Sequence, residues 1–223
     1  MYSQLQPLIK RSLVRKYAAS STILYQGEAP RSACILAKGI VRVFSISSQG
    51  DEQIVSFHVA GEFFPTSWIF RKAPGTLFFY EALTDCEVAM CDRDELIQYM
   101  RATPERTDTL LDYYTTNFAA SMIRVNALEQ PKAHDKLVYT LFYLCQRYSK
   151  ELGGIIEIPL TLTHQNFASL VGLTRETVAI EMNKLKKSGV IDYKQRRYFV
   201  HRDKLFALLG EDSFKGLSIK EPR

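Results

Sequence analysis

The chain has 223 residues and a formal net charge of +5, with 46% hydrophobic and 24% charged residues. That balance is ordinary for a soluble globular protein and too apolar and aromatic for a disordered one. No run approaches the roughly 18 consecutive apolar residues of a membrane-spanning helix, so no membrane association is expected.

The first 17 residues carry Lys10, Arg11, Arg15 and Lys16 but no continuous apolar core, which is not a secretory signal pattern. Leu5, Leu8, Ile9 and Leu13 recur at helical spacing and predict a short packed helix. The cysteines, Cys34, Cys86, Cys91 and Cys145, are dispersed and form no C-x-x-C. A chain of this size builds a core without bridges, so reduced thiols in a cytoplasmic protein are expected.

From residue 17 to about residue 96, short apolar or alternating runs are broken by glycines. Strands are predicted at 22–25, 33–37, 40–46, 53–59, 76–83 and 86–91. In the third, Val41, Val43 and Ser45 face one way and Arg42, Phe44 and Ile46 the other. Gly27, Gly39, Gly50 and Gly61 are spaced by 12, 11 and 11 residues. Turns at such regular intervals suggest an all-β barrel or roll.

After Pro104 no Gly or Pro occurs until Pro131. Leu111, Tyr114, Phe118, Ser121, Val125 and Leu128 follow a 3-4-3-4-3 spacing, with five of the six apolar. A helix over 104–130 would be about 40 Å long. Its stripe suits a coiled-coil contact between two copies, or packing on the chain's own roll. Its position between a roll and a basic module favours the dimer.

Residues 131–210 hold 13 Lys and Arg against 7 Asp and Glu, whereas residues 1–130 hold 13 against 14. A basic block beside a near-neutral one suggests a polyanion-binding module joined to something else. Within it, 135–148 reads as a helix with Leu137, Leu141, Leu144 and Cys145 on one stripe. A strand at 155–160 follows. Thr163 opens a helix to Val171, Gly172 ends it, and Thr174 caps a second running to about Lys187. Val178, Met182 and Leu185 form the buried side of the second helix. Two helices about a tight glycine turn make a helix-turn-helix. Strands at 191–193 and 198–200 around a cationic turn would form a wing.

The words Gln26-Gly27-Glu28, Lys38-Gly39, Gly50 and Ala60-Gly61-Glu62-Phe63 stand where the cyclic-nucleotide-binding roll of cyclic-AMP receptor relatives places its turns. The stretch from Leu162-Thr163-His164-Gln165-Asn166-Phe167 through Val171-Gly172-Leu173-Thr174-Arg175-Glu176-Thr177-Val178 closely resembles the winged helix-turn-helix of the cyclic-AMP receptor protein and fumarate–nitrate regulator (CRP/FNR) superfamily. The resemblance covers residues 17–200, in the family's order. It implies an α+β chain with a β-roll sensor at 1–103, a dimerisation helix at 104–130, a winged helix-turn-helix at 131–210 and a tail at 211–223. The implied function is a homodimeric, cytoplasmic, sequence-specific transcription regulator that binds an inverted repeat in double-stranded DNA and partners RNA polymerase.

The major groove admits one helix, whose N-terminal residues meet the base edges. The outward residues are Thr174, Arg175, Glu176, Ala179, Ile180 and Asn183. Arg175 offers a donor fork to guanine and Glu176 accepts from cytosine, as in the resembled family. Many members of that family carry arginine where this chain has Ile180. A half-site altered at the facing base pair follows if Ile180 points to DNA, and not if it turns inward. Thr163, Thr174, Lys194, Arg196 and Arg197 are candidate phosphate contacts.

In the resembled roll, a Gly-Glu pair meets the ribose and an Arg-Ser pair meets the cyclic phosphate. Those positions fall on Pro65-Thr66 and Thr76-Leu77. A buried phosphate without a cation is very costly, so cyclic AMP is not an expected ligand. Phe64, Thr66, Trp68, Thr76, Phe78, Ser121 and Met122 form a candidate pocket for an unidentified small effector, the other reading being a roll filled by its own aromatics. No cysteine precedes Cys34, and His58, His134, His164 and His201 show no ligand spacing, so no metal site is expected. A haem on a lone His or Cys stays open. No P-loop, nucleophile elbow or H-E-x-x-H is present, so an enzyme is not expected. The alternatives to a DNA-binding regulator are a small-molecule receptor acting mainly through protein partners, and a haem- or redox-sensing regulator.

Overall fold

A computed structural model describes residues 1–152, 154–194 and 197–210. The chain divides into two compact units, the first being Met1–Tyr114 and the second beginning at Thr115.

The first unit opens with α1 (Tyr2–Arg11), which buries Leu5, Leu8 and Ile9. The helical period expected to include Leu13 ends at Ser12, whose hydroxyl donates to the Leu8 carbonyl at 2.8 Å. Leu13 instead begins β1 (Leu13–Tyr17) and is 68% exposed. Long-range pairing decides this, because β1 zips antiparallel onto β8 (Cys86–Cys91), with Leu13 opposite Met90 and Tyr17 opposite Cys86.

Between them run β2 (Thr22–Leu24), β3 (Ala33–Lys38), β4 (Ile40–Ile46), β5 (Glu52–Val59), β6 (Phe63–Phe64), α2 (Thr66–Ile69) and β7 (Phe79–Ala82). They form two four-stranded antiparallel sheets, ordered β1-β8-β3-β6 and β2-β7-β4-β5. The first sheet has a core on each face, and strand alternation assigns its residues. Cys34, Leu36, Phe64 and Val88 face the second sheet with Val41, Val43, Tyr80 and Ala82. Ala33, Ile35, Phe63 and Ala89 face the other way, under α1, α2 and α3 (Arg93–Arg101). Cys86 and Cys91 fall on opposite faces of β8. Asp92 caps α3 by accepting from the N–H groups of Asp94 and Glu95, both at 2.9 Å.

α4 (Pro104–Glu129) starts with proline at its first turn, where no N–H partner is lost. The sequence sets 104–130 apart as a connector; the compact units divide this helix at Tyr114, within its length.

The second unit continues with α5 (Ala133–Tyr148), whose Leu137, Leu141, Leu144 and Cys145 are fully buried. A third antiparallel sheet, ordered β11-β12-β10-β9, comprises β9 (Lys150–Leu152), β10 (Ile155–Ile158), β11 (Ile191–Lys194) and β12 (Arg197–His201). Three further helices complete it: α6 (His164–Val171), α7 (Arg175–Lys187) and α8 (Arg202–Leu209). α5 is the hub, packing against α6, α7 and α8. No helix among the described residues is long and apolar enough to cross a membrane.

Candidate nucleic-acid interface

Local chemistry marks the ends of α6 and α7. Thr163 and Asn166 form a reciprocal capping box, with Asn166 N–H donating to the Thr163 hydroxyl at 3.1 Å and Thr163 N–H to Asn166 Oδ1 at 2.9 Å. Gly172 takes φ 68° and ψ 41°, the left-handed state that glycine adopts without strain. Thr174 then caps α7 by accepting from Thr177 N–H at 3.2 Å. Such a cap contributes about 1 kcal/mol.

Burial then orients α7. Val178, Met182 and Leu185 are inside. Phe167 of α6 is fully buried and meets the Tyr198 ring edge-on at 5.2 Å, which seats α6 on β12. The opposite side of α7 presents Arg175, Glu176 and Asn183 exposed, with Ala179 half-buried. Ile180 is 58% exposed, so of the two orientations open from the sequence it takes the outward one. Glu181 lies between the two sides, with its carboxylate 3.0 Å from His134 Nδ1 and 2.6 Å from Lys184 Nζ.

The wing hairpin pairs Tyr193 with Tyr198 and Lys194 with Arg197. Thr163, Thr174, Lys194 and Arg197 are all exposed. Arg197 donates to Glu157 Oε1 at 2.5 Å, so its charge is already partnered on β10. Arg196 lies outside the described residues.

A cleft of about 320 Å³ separates α7 from the wing, lined by His164, Ala179, Asn183, Lys186, Tyr193 and Tyr198 among others. Lys186, Tyr193 and His164 are absent from the sequence-based set. Lys186 had a signal: it stands seven residues after Ala179 and three after Asn183, on one helical face. Tyr193 and His164 had none, because strand pairing and the capped start of α6 bring them there.

On α4, Leu111, Phe118, Ser121 and Val125 are exposed, while Tyr114 and Leu128 are half-buried. Met122 is exposed beside them. The buried side of the helix is Ala120, Ile123 and Ala127.

The roll residues of the candidate effector pocket do not all converge. Phe64 is fully buried between the sheets, and Trp68 belongs to the core on the other face. Adjacent strand residues point oppositely, so Phe63 and Phe64 feed different cores. Phe78 packs at the edge of the inter-sheet core, and Thr66 is half-buried at the start of α2. The Thr76 hydroxyl donates to the Tyr25 carbonyl. Its backbone is stitched to the neighbouring turn by Gly27 N–H to Thr76 O at 2.9 Å and Thr76 N–H to Glu28 O at 2.8 Å. Gly75 permits that approach, since a Cβ there would lie 2.6 Å from the Glu28 carbonyl oxygen. Leu77 is 51% exposed, and Arg71 is paired with Asp94 at 2.8 Å. These positions do not fit a cyclic phosphate, which needs a cation and free donors. Ser121 and Met122 lie in the second unit.

The thiols are buried and ill-suited to reaction. Burial pushes Cys34 up to about 12 and Cys91 up to about 11, with Glu95 adding to the latter. Among the described residues no group of three or more His, Cys, Asp and Glu is placed to hold a metal ion.

Residues 14–103 match the cyclic nucleotide-binding domain model, and residues 135–207 match the Crp-like helix-turn-helix domain. The nitrogen fixation regulation protein FixK of Rhizobium meliloti (strain 1021) is 29% identical over 191 residues, covering 86% of this chain and 83% of the relative. The regulatory protein HlyX of Actinobacillus pleuropneumoniae is 27% identical over 202 residues, covering 90% and 82%. The structure of FixK2 from Bradyrhizobium japonicum shares the fold with a TM-score of 0.72 at 19% identity, covering 91% of this chain and 99% of that one.

Proposed function

Because the chain belongs to the CRP/FNR superfamily of transcription regulators, we propose that two copies join along α4 and present two α7 helices to an inverted repeat in promoter DNA. Exposed Leu111, Phe118, Met122 and Val125 supply the apolar stripe for the dimer. Two-fold symmetry sets the paired helices about 34 Å apart, one turn of the duplex.

The observation that carries this reading is the division of α7. Val178, Met182 and Leu185 anchor it, and Arg175, Glu176 and Ile180 are exposed on the far side. Arg175 reads guanine, Glu176 accepts from the cytosine amine, and Ile180 packs on a thymine methyl group. Ala179 and Asn183 complete the base-facing row. Thr174, Lys194 and Arg196 hold phosphates, joined by Thr163 and Arg197 when they exchange Asn166 and Glu157 for the backbone. The regulator works in the cytoplasm, contacts RNA polymerase, and does not use cyclic AMP as its effector.

Selection of bound sequences from random duplex DNA, with and without metabolites from a cell extract, tests the proposal. An enriched inverted repeat with half-sites about one helical turn apart is expected. No enrichment in either arm would sink it.

A further inference from the structure

The second half of α4 does more than carry an outward stripe. Its Arg124 reaches into the helix-turn-helix, where Nη2 donates to the Leu170 carbonyl at 3.1 Å. The guanidinium lies 5.7 Å from the centre of the Tyr143 ring on α5. Burial pulls its pKa below the ordinary arginine value, and the group remains a cation.

Leu170 is the second-last residue of α6, two positions before the Gly172 turn. The final carbonyls of a helix lack intrahelical donors and carry partial negative charge. Two N–H groups, from Gly172 at 2.9 Å and Leu173 at 3.2 Å, serve the Ala168 carbonyl. The Leu170 carbonyl takes its donor from outside the helix-turn-helix, from Arg124. The bond spans 46 residues and ends at the turn that sets the direction of α7.

We propose that Arg124 is a positioning residue for DNA reading. It ties α4 to the C-terminal end of α6, so the placement of α4 fixes the angle at which α7 presents Arg175, Glu176 and Ile180. The inference rests on α7 being the reading helix. A tilt of α7 harms base contacts, which need close alignment, more than phosphate contacts, which tolerate small shifts.

The test compares full-length wild type, R124M and R124K on the selected inverted repeat and on a scrambled duplex, with dimerisation and thermal unfolding followed in parallel. R124M is expected to remain a dimer and to lose roughly tenfold or more in affinity for the selected site, the scale of losing a hydrogen bond to a charged group. Its affinity for scrambled DNA should change less than about twofold, because phosphate contacts carry that binding. R124K keeps the charge with a shorter reach and should fall between wild type and R124M. Equal fold losses on both duplexes mark a merely structural residue and overturn the proposal, as does an unchanged preference. Should R124M not fold, R124K decides: a reduced preference supports the role and a wild-type preference overturns it. Wild type without any preference would refute the reading role of α7 itself, and this proposal with it.

Discussion

His134, at the start of α5, holds Glu181 in the middle of α7, with Nδ1 and Oε2 3.0 Å apart. The two residues are 47 apart in the chain, and the Lys184 ammonium closes on the other carboxylate oxygen at 2.6 Å. α7 is thereby fastened by its flank as well as by its apolar side. The carboxylate is consumed by this fastening and is not a base reader.

Glu181 gives the first prediction. Its pKa is lowered, chiefly by the hydrogen bond from Lys184 and then by the one from His134, against an opposing effect of burial. A carboxyl depressed in the folded state stabilises fully above its unfolded pKa, and that contribution is lost as pH falls through the folded value. Between about pH 5 and about pH 3, wild type should lose more thermal stability than E181Q. Parallel stability profiles for the two proteins would count against the pairing.

Arg175 and Lys194 should separate on binding assays. R175A is expected to cost about 1–3 kcal/mol on the selected site and to relax preference at one base pair. K194A should weaken all sequences alike and reduce the salt slope by about 1. Equal losses on cognate and scrambled DNA for R175A would remove it from base reading.

Ile180 is outward, so I180R should place a guanidinium in the groove. The preferred base at the facing position should shift towards guanine, by about 1–3 kcal/mol of discrimination. Repeating the random-duplex selection with the variant measures this, and an unaltered half-site would show that Ile180 touches no base.

Phe118 is 66% exposed on α4, the largest exposed side chain of its stripe. F118E should put two like charges across a two-fold contact and yield a monomer by sedimentation, with DNA affinity falling as well. A variant that stays dimeric at micromolar concentration would move the interface elsewhere.

Calorimetry with cyclic AMP should show no micromolar affinity. Thr76 spends its hydroxyl on the Tyr25 carbonyl, and Arg71 is held by Asp94. Clear heat of binding at that level would mean that the loop around Thr76 opens and recruits a cation.

The sequence by itself determined the order of modules, the caps of α6 and α7 and the buried side of α7. Thr163, Gly172 and Thr174 act within four residues of themselves, and the period of Val178, Met182 and Leu185 needs no partner to be visible. Only tertiary structure decided where paired groups meet. Leu13 leaves a helical pattern for an edge strand because β8 offers it hydrogen bonds from more than 70 residues away. Phe63 and Phe64 look like one aromatic word and serve two cores, because a single sheet has two faces. Arg197 reads as a wing cation for phosphate until β10 brings Glu157 beside it, and no sequence pattern marks Arg124 as the partner of the Leu170 carbonyl 46 residues away. Local chemistry reaches about one helical turn along the chain, and beyond that distance the neighbours of a side chain are set by packing.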